Sequence, residues 1–274
     1  MAESLAPGVR AGLRVYRSDE VEEQAVQEEE IQARTQSARA VPGALAANPL
    51  VTFWRTVIGK KIVMAVTGAV LVTFVIAHML GNLKIFSGPD DINAYARFLR
   101  EVGRPEFGYG EVLWVVRIVL LLCVILHITA AAQLTRLSWQ ARPDEYRTKK
   151  SLESTFASRT MRWGGVLLIV FIVFHILHFT LGVVGFHPGQ YVPLGVYHNV
   201  LTAFTIWPIS LFYILSMAAL CLHLDHGIWS AFQTLGWSTS RNERSLKILS
   251  RLIALAVFVG FISVPISVMA GWLH

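Results

Sequence analysis

Charged residues are scarce in this sequence of 274 residues, of which 15% are Asp, Glu, Lys or Arg and 54% are hydrophobic. A soluble globular domain carries about 25% charged residues, so the composition excludes an ordinary soluble protein, a disordered chain and a collagen. Cysteine is scarce as well. Both cysteines, Cys123 and Cys221, lie inside apolar runs, which excludes a scaffold stapled by disulfides. The chain is therefore expected to lie in a lipid bilayer.

Five long apolar runs indicate membrane-spanning helices. They cover about residues 62–80, 112–134, 163–186, 204–232 and 252–273. At a rise of about 1.5 Å per residue, each run is long enough to cross a hydrocarbon core of about 30 Å. The strands of a membrane barrel would alternate polar and apolar residues, which these runs do not do. We expect an all-α integral membrane protein in which residues 51–274 form one five-helix transmembrane domain.

Basic residues between the runs predict the orientation of the helices. Fourteen Lys and Arg residues stand before the first run and in the second and fourth connections, against four in the first connection. Because cytoplasmic loops are enriched in Lys and Arg, the asymmetry predicts a cytoplasmic N-terminus, an external C-terminus and a multi-pass protein of the cytoplasmic membrane. No basic stripe is interleaved with aromatics on a polar face, so nucleic acid is not an expected partner.

Residues 1–50 differ from the rest of the chain in charge. Their net charge is −3, whereas the following residues carry +9. The segment has no apolar core after a basic start, so we do not expect a signal peptide. We interpret it as a polar, acidic cytoplasmic extension that is either unstructured or packed against a soluble partner.

Six of the nine histidines lie within the apolar runs: His78, His127, His175, His178, His223 and His226. Ionisable side chains inside a membrane are costly, so each is a candidate functional residue, with a hydrogen bond between helices as the alternative. The helix rise places His78 and His175 about 20 to 25 Å from the cytoplasmic ends of their helices. It places His127 and His223 about 22 to 24 Å from the external ends of theirs. The sequence therefore predicts an outer pair and an inner pair of facing histidines.

Two imidazoles from facing helices are the axial ligands that a six-coordinate haem iron requires. Tetrahedral zinc would need four converging ligands, and no second pair at equal depth supplies them. Small residues near the histidines leave room for a flat macrocycle, although ordinary close helix packing explains them equally well. They are Gly68, Ala69, Ala130, Ala131, Ala132, Gly164, Gly165, Ala218 and Ala219. Two haems at different depths predict a carrier of electrons across the bilayer.

Three sequence motifs resemble a known family. They are IAHMLGNL at residues 76–83, NAYARFL at 93–99 and LHLDHGIWSAFQT at 222–234. The chain from about residue 50 onward resembles the cytochrome b membrane anchor of succinate:quinone oxidoreductases and fumarate reductases. The likeness is to the class in which a single five-helix anchor holds two haem b groups.

The resemblance implies partners and ligand roles. In that family the anchor docks a flavoprotein and an iron-sulfur subunit on the cytoplasmic side and reduces a quinone, usually menaquinone when two haems are present. By this likeness His127 and His223 would ligate the inner haem, with His226 as an alternative to His223. His78 and His175 would ligate the outer haem. His178 is an alternative to His175, which the family's spacing from Arg162 favours.

The chain would thus be a subunit of an oxidoreductase with no succinate-converting residues of its own. Cations near the membrane edges are candidates to bind the haem propionates, although each could equally be a topology charge. They are Lys61 and Arg162 for the inner haem and Arg117 for the outer haem. Polar residues beside the haems are candidate quinone ligands. They are Asn82, Lys84 and His178 on the outer side and Asp225 and His226 on the inner side.

Two other functions compete with this interpretation. Cys123 with His127 and Cys221 with His223 have the ligand types of a Rieske-type [2Fe-2S] cluster, although residues two apart on a helix point in different directions. A transporter without redox function is the second alternative, and it predicts helices broken by Gly or Pro at corresponding places in two halves.

Overall fold

The computed structural model describes residues 48–141 and 156–274. The acidic segment 1–47 and the basic segment 142–155 lie outside the described residues, so the prediction of a cytoplasmic extension is not addressed. From Phe53 onward the chain forms one compact unit.

Eight α-helices make up most of the described chain. They are α1 (Pro49–Arg55), α2 (Val57–Asn82), α3 (Pro89–Glu101), α4 (Glu111–Gln140), α5 (Phe156–His175), α6 (Val196–Phe204), α7 (Trp207–Thr234) and α8 (Glu243–Met269). A 3₁₀ turn, Leu83–Ser87, follows α2, and a π-helical turn, Ile176–Thr180, continues α5. The helices α2, α4, α5, α7 and α8 are long and apolar enough to cross a membrane, and no strand occurs among the described residues. The prediction of an all-α membrane protein with five spans is confirmed.

Helix α4 shows why the bundle needs a membrane. Ala130 is its one buried residue, whereas Trp114, Leu121 and Leu122 are 60%, 58% and 54% exposed. Soluble proteins rarely expose so continuous an apolar face. In a bilayer this face would contact the apolar lipid tails. The protein is therefore a multi-pass membrane protein, whose orientation stays a prediction.

One span ends earlier than predicted and another begins later, because local signals interrupt the apolar pattern. The third was predicted to reach residue 186, but its helical structure ends at Thr180, and Gly182 and Gly185 follow with φ of 66° and 75°. The fourth was predicted to begin at residue 204, but α7 begins at Trp207 and has a proline in its first turn. Glycine tolerates the left-handed region and proline favours the start of a helix, so each boundary falls at such a residue.

The other three spans begin before their apolar runs, and the last of them also ends early, at Met269 rather than at residue 273. Helix α8 begins at Glu243, nine residues before the predicted start at 252, because its first turns are polar yet helical. Helix α2 begins at Val57, where the Thr56 hydroxyl oxygen accepts a hydrogen bond of 2.8 Å from the Gly59 amide. This is an N-cap, which satisfies one of the free amides at the start of a helix.

Two short helices, α3 and α6, lie in connections where no helix was predicted. They pack against each other, and the Asn93 side-chain oxygen accepts a hydrogen bond of 3.2 Å from the Tyr197 amide. Helix α3 has Pro89 in its first turn and buries Ile92 and Ala96 on one face. Thirteen residues of mixed polarity do not form a span, which is why a search for long apolar runs misses this helix.

The five spans do not all pack closely on one another. Helix α2 packs on α4, α7 and α8, and α7 also packs on α5 and α8. Within residues 48–141 and 156–274, α4 does not pack closely on α7, and α2 does not pack closely on α5. Histidine side chains bridge both of these helix pairs.

Candidate functional site: two histidine pairs

The first bridge joins α4 to α7 through His127 and His223, which we name the α4–α7 pair. Their ring centres lie 6.2 Å apart, with the planes inclined by 57°. The Nδ1 atom of His127 lies 3.1 Å from the Met64 carbonyl oxygen and 3.3 Å from the Thr67 hydroxyl oxygen. Because the carbonyl can only accept, His127 carries its proton on Nδ1 and leaves a lone pair on Nε2. A second hydrogen bond of this kind is what orients a metal-ligating histidine.

His223 lies beside a cavity. The space has a volume of about 100 Å³ and is lined by Thr160, Met161, Gly164, Ala219, Leu222 and His223. Two of the small residues expected to leave room for a macrocycle, Gly164 and Ala219, thus line this cavity. The Nδ1 atom of His223 is buried without a hydrogen-bond partner among the described residues, so this ring retains an unused polar group.

The second bridge joins α2 to α5 through His78 and His175, which we name the α2–α5 pair. Their ring centres lie 5.8 Å apart and the planes are nearly perpendicular, at 81°. Phe74 stacks on His78 at 5.3 Å and Phe171 stacks on His175 at 5.7 Å, in each case from one turn earlier on the same helix. The Nδ1 atom of His175 lies 3.3 Å from the hydroxyl oxygen of Tyr213 on α7. Aromatic neighbours therefore stack on both rings, and Tyr213 also contacts His175.

These separations match the needs of one iron per pair. An imidazole nitrogen binds a transition-metal ion at roughly 2.0 Å, and the ring centre lies about 1.1 Å behind it, so two axial imidazoles have ring centres about 6.2 Å apart. The observed 5.8 and 6.2 Å agree with that distance. Each pair also joins two helices that do not otherwise pack closely, where a flat macrocycle needs room. By this distance the residues of each pair would fit a haem held by two histidines.

The two pairs lie at different levels of the bundle. Thr67, which contacts His127, precedes His78 by 11 positions on α2. At about 1.5 Å per residue this separates the levels by about 16 Å, roughly half the hydrocarbon thickness.

His178 and His226 do not take part in these pairs. His178 lies in the π-helical turn, is fully buried, and contacts Phe179 and Phe186, with ring centres 4.2 and 4.8 Å away. Among the described residues it makes no ring contact with His78. His226 faces Trp229 at 6.2 Å. The structure thus brings His175 and His223, and not their alternatives, to the facing rings.

The four residues of the cluster alternative do not converge. Both cysteines are free and half-buried. Among the residues that the structure describes, no three His, Cys, Asp or Glu side chains form a group that could hold a metal ion. A Rieske-type cluster needs four such ligands, whereas each haem needs two.

Two of the three basic candidates lie against tryptophans. The Arg117 guanidinium lies 5.0 Å from the centre of the Trp114 ring, and that of Arg162 lies 5.7 Å from Trp139. Lys61 is exposed. Within the described part of the chain, none of the three cations hydrogen-bonds a histidine, so their role toward propionates stays a prediction.

The quinone candidates remain in two separate groups. On one side Lys84 extends over the Tyr95 ring at 5.7 Å, and Asn82 is half-buried nearby at the end of α2. On the other side the Asp225 carboxylate lies 3.6 Å from the Arg251 guanidinium. Of the residues that the structure describes, no quinone candidate lines the cavity beside His223, and the choice between the two groups stays open.

Sequence reasoning missed three interactions. Tyr213 contacts two histidines, the Met64 carbonyl orients His127, and Lys60 rather than Lys61 is the buried lysine. The Lys60 ammonium donates hydrogen bonds of 2.8 and 3.1 Å to the carbonyl oxygens of Trp54 and Arg55. A tyrosine in the middle of an apolar run was the one sequence signal for any of them, since a buried hydroxyl needs a partner.

No family model, curated protein or solved structure matches this chain. The likeness to cytochrome b membrane anchors therefore rests on the three sequence motifs and stays a prediction. The geometry of the two histidine pairs is a separate observation that does not depend on those motifs.

Proposed function

We propose that this chain is the membrane-anchor and electron-transfer subunit of a succinate:quinone oxidoreductase, with two haem b groups as its cofactors and a quinone, menaquinone by family likeness, as its electron acceptor. Its soluble partners would be a flavoprotein and an iron-sulfur subunit. The observation that carries the proposal is the two pairs of facing histidine rings at 5.8 and 6.2 Å, on helices that are otherwise not closely packed.

In each pair, neighbouring residues contact Nδ1 of one histidine, which would leave its Nε2 free to bind an iron ion. Haem, when bound, supplies one-electron oxidation and reduction at a potential set by its ligands and their hydrogen bonds. The Met64 carbonyl and the Thr67 hydroxyl hold His127 with Nε2 unprotonated, and Tyr213 contacts Nδ1 of His175. Phe74 and Phe171 stack on the rings of the α2–α5 pair and cover one side of each.

Electrostatics near the α4–α7 pair support docking of soluble partners at that end. Asp225, two residues after His223, contacts Arg251 in the third turn of α8. The first turns of α8 border an open surface hollow of about 410 Å³, lined by Ser240, Glu243, Arg244, Lys247, Ile248 and Arg251. Three of the basic residues that predict the cytoplasmic side, Arg244, Lys247 and Arg251, thus lie at the same end as the α4–α7 pair, where an electron donor from the cytoplasm would approach.

The transporter alternative has less support. It predicts broken helices within the membrane, but Pro265 lies inside α8, which continues to Met269. Pro208 lies in the first turn of α7, where proline does not break a helix.

Haem content tests the proposed function. His127→Ala and His223→Ala should each reduce the haem bound by the full chain, purified in mild detergent, from two per chain to one, because each removes an axial ligand of the same iron. His78→Ala and His175→Ala should each remove the other haem. The pyridine haemochrome assay and the reduced-minus-oxidised spectrum provide the measurement.

The matched control is His198→Ala, because His198 is exposed and lies outside the five spans. It should leave both haems in place. In the complex, the His127 variant should also lose quinone reduction while the soluble subunits still oxidise succinate with an artificial acceptor. Unchanged haem content in all four pair variants would refute the assignment.

A further inference from the structure

Tyr213 joins two histidines that lie three residues apart. Its hydroxyl oxygen lies 3.3 Å from Nδ1 of His175 and 3.0 Å from Nδ1 of His178. Tyr213 is 7% exposed and His178 is fully buried, so water does not compete for either contact. The three side chains form a hydrogen-bonded chain inside the bundle, and the histidine pairing predicted from the sequence does not account for it.

The direction of these hydrogen bonds follows from proton counting. A tyrosine hydroxyl donates one hydrogen bond and can accept another, so it donates to one of the two Nδ1 atoms and accepts from the other. An iron ion on Nε2 of His175 requires that nitrogen to be unprotonated, which places the proton of this ring on Nδ1. Nδ1–H of His175 then donates to Tyr213, and the hydroxyl of Tyr213 donates to Nδ1 of His178.

The surroundings hold this chain in place. A Cβ atom added to Gly185 would come within 2.7 Å of Cδ2 and Nε2 of the His178 ring. Phe179 and Phe186 cover the same ring from other sides, at 4.2 and 4.8 Å. The ring of His178 therefore has little room to turn, and it presents Nδ1 to the tyrosine.

We infer that Tyr213, backed by His178, is a positioning residue that fixes the tautomer of His175 and lowers the reduction potential of the haem at the α2–α5 pair. The inference rests on the proposed function. An acceptor on Nδ1–H makes the ligand more basic, which favours ferric iron. The donation from Tyr213 to His178 polarises the hydroxyl and strengthens this effect. Among the described contacts of the α4–α7 pair there is no tyrosine. Its His127 instead donates a hydrogen bond to the backbone carbonyl of Met64.

The test is a redox titration of the full chain with any soluble subunits bound, in mild detergent, followed by absorbance and by electron paramagnetic resonance of the ferric haems. Tyr213→Phe removes the acceptor and leaves the ring. The equilibrium constant for reduction of the α2–α5 haem should rise by up to about tenfold, which for one electron is a shift of up to about 59 mV. The haem at the α4–α7 pair should keep its potential.

A second variant separates tuning from misfolding. His178→Leu keeps Tyr213 but removes the group to which its hydroxyl donates, so the same potential should rise by less than in Tyr213→Phe. The control is Tyr197→Phe, which also loses one hydroxyl, in this case a donor to the His274 carbonyl at 3.2 Å. Its two potentials should equal those of the wild-type chain.

The possible results separate a failure of the proposed function from a failure of the role inferred for Tyr213. A wild-type chain that binds no haem refutes the proposed function and the inference with it. Two haems with unchanged potentials and unchanged resonance spectra in both Tyr213→Phe and His178→Leu overturn the inference alone. Loss of the α2–α5 haem in His178→Leu but not in His175→Ala would make His178 the ligand, and this too overturns the inference.

Discussion

Gly68 on α2 lies directly against the ring of His127, and adding one methyl group there tests how closely the α4–α7 pair is positioned. A Cβ atom at Gly68 would lie 3.2 Å from Cε1 of His127 and 3.6 Å from its Nδ1. Carbon atoms in favourable contact are about 3.5 to 4.0 Å apart, so the ring must move by roughly 0.3 to 0.8 Å. Metal–ligand distances tolerate only about 0.2 Å, so Gly68→Ala should weaken haem binding at this pair.

We expect the affinity for this haem to fall roughly tenfold, the lower end of the range seen when the support of a metal ligand is disturbed. The helix itself should not suffer, because alanine is favoured over glycine in a helix by about 1 kcal/mol. The assay is the rate at which haem passes from the purified chain to an excess of a haem-scavenging apoprotein. Spectra assign the haem that leaves by comparison with His223→Ala.

The matched control is Gly165→Ala on α5. A Cβ atom at Gly165 meets nothing within 4 Å, so this variant makes the same change without touching a histidine. Its haem should leave at the wild-type rate. If Gly68→Ala released haem no faster than Gly165→Ala, the position of the His127 ring would not be what binds a haem, and the reasoning would be refuted.

Two further predictions concern stability, measured as thermal unfolding in detergent. Lys60→Met should lower the free energy of unfolding by about 1 to 3 kcal/mol, since it removes two charge-assisted hydrogen bonds to backbone carbonyls. The control is Lys61→Met, which should change the free energy little because Lys61 is exposed. Equal effects of the two variants would contradict a stabilising role of the Lys60 hydrogen bonds. Gly185→Ala and Gly189→Ala both place alanine at positive φ, 75° and 82°, at roughly 1 to 2 kcal/mol each. Only Gly185 also meets His178, so its variant should lose about 1 to 3 kcal/mol more, and an equal loss in both would contradict that contact.

The five spans could be predicted because membrane insertion depends on a property that is local in sequence. A run of about twenty apolar residues must be helical in lipid, whatever it packs against, since its backbone has no other hydrogen-bond partners. The fixed rise of the helix then placed four histidines at two depths. The structure brings the same residues together, as His78 with His175 and His127 with His223.

Positions around the helix axis could not be predicted in the same way. His175 and His178 are about 60° apart on a regular α-helix, which does not separate them. The π-helical turn Ile176–Thr180 widens the helix after His175 and places His178 against Tyr213 and Phe186. A π-turn depends on packing with other helices, and the local sequence carries no signal for it.

The same limit applies to neighbouring lysines and distant partners. Lys60 and Lys61 are identical in type and adjacent in sequence, yet Lys60 is 7% exposed and Lys61 is exposed, because one faces the preceding turn of the chain. Tyr213 lies 38 residues from His175, and the contact between them exists only once α5 and α7 have packed. The burial of one lysine and the contact between the tyrosine and the histidine both depend on how the helices pack, which the local sequence does not show.

The central claim is that the two histidine pairs each hold one haem. The most direct measurement is the reduced-minus-oxidised spectrum of the full chain, purified in mild detergent, together with the haem-to-chain ratio. We expect the sharp visible bands of low-spin b haem at two haems per chain. A purified, folded chain without these bands would contradict it.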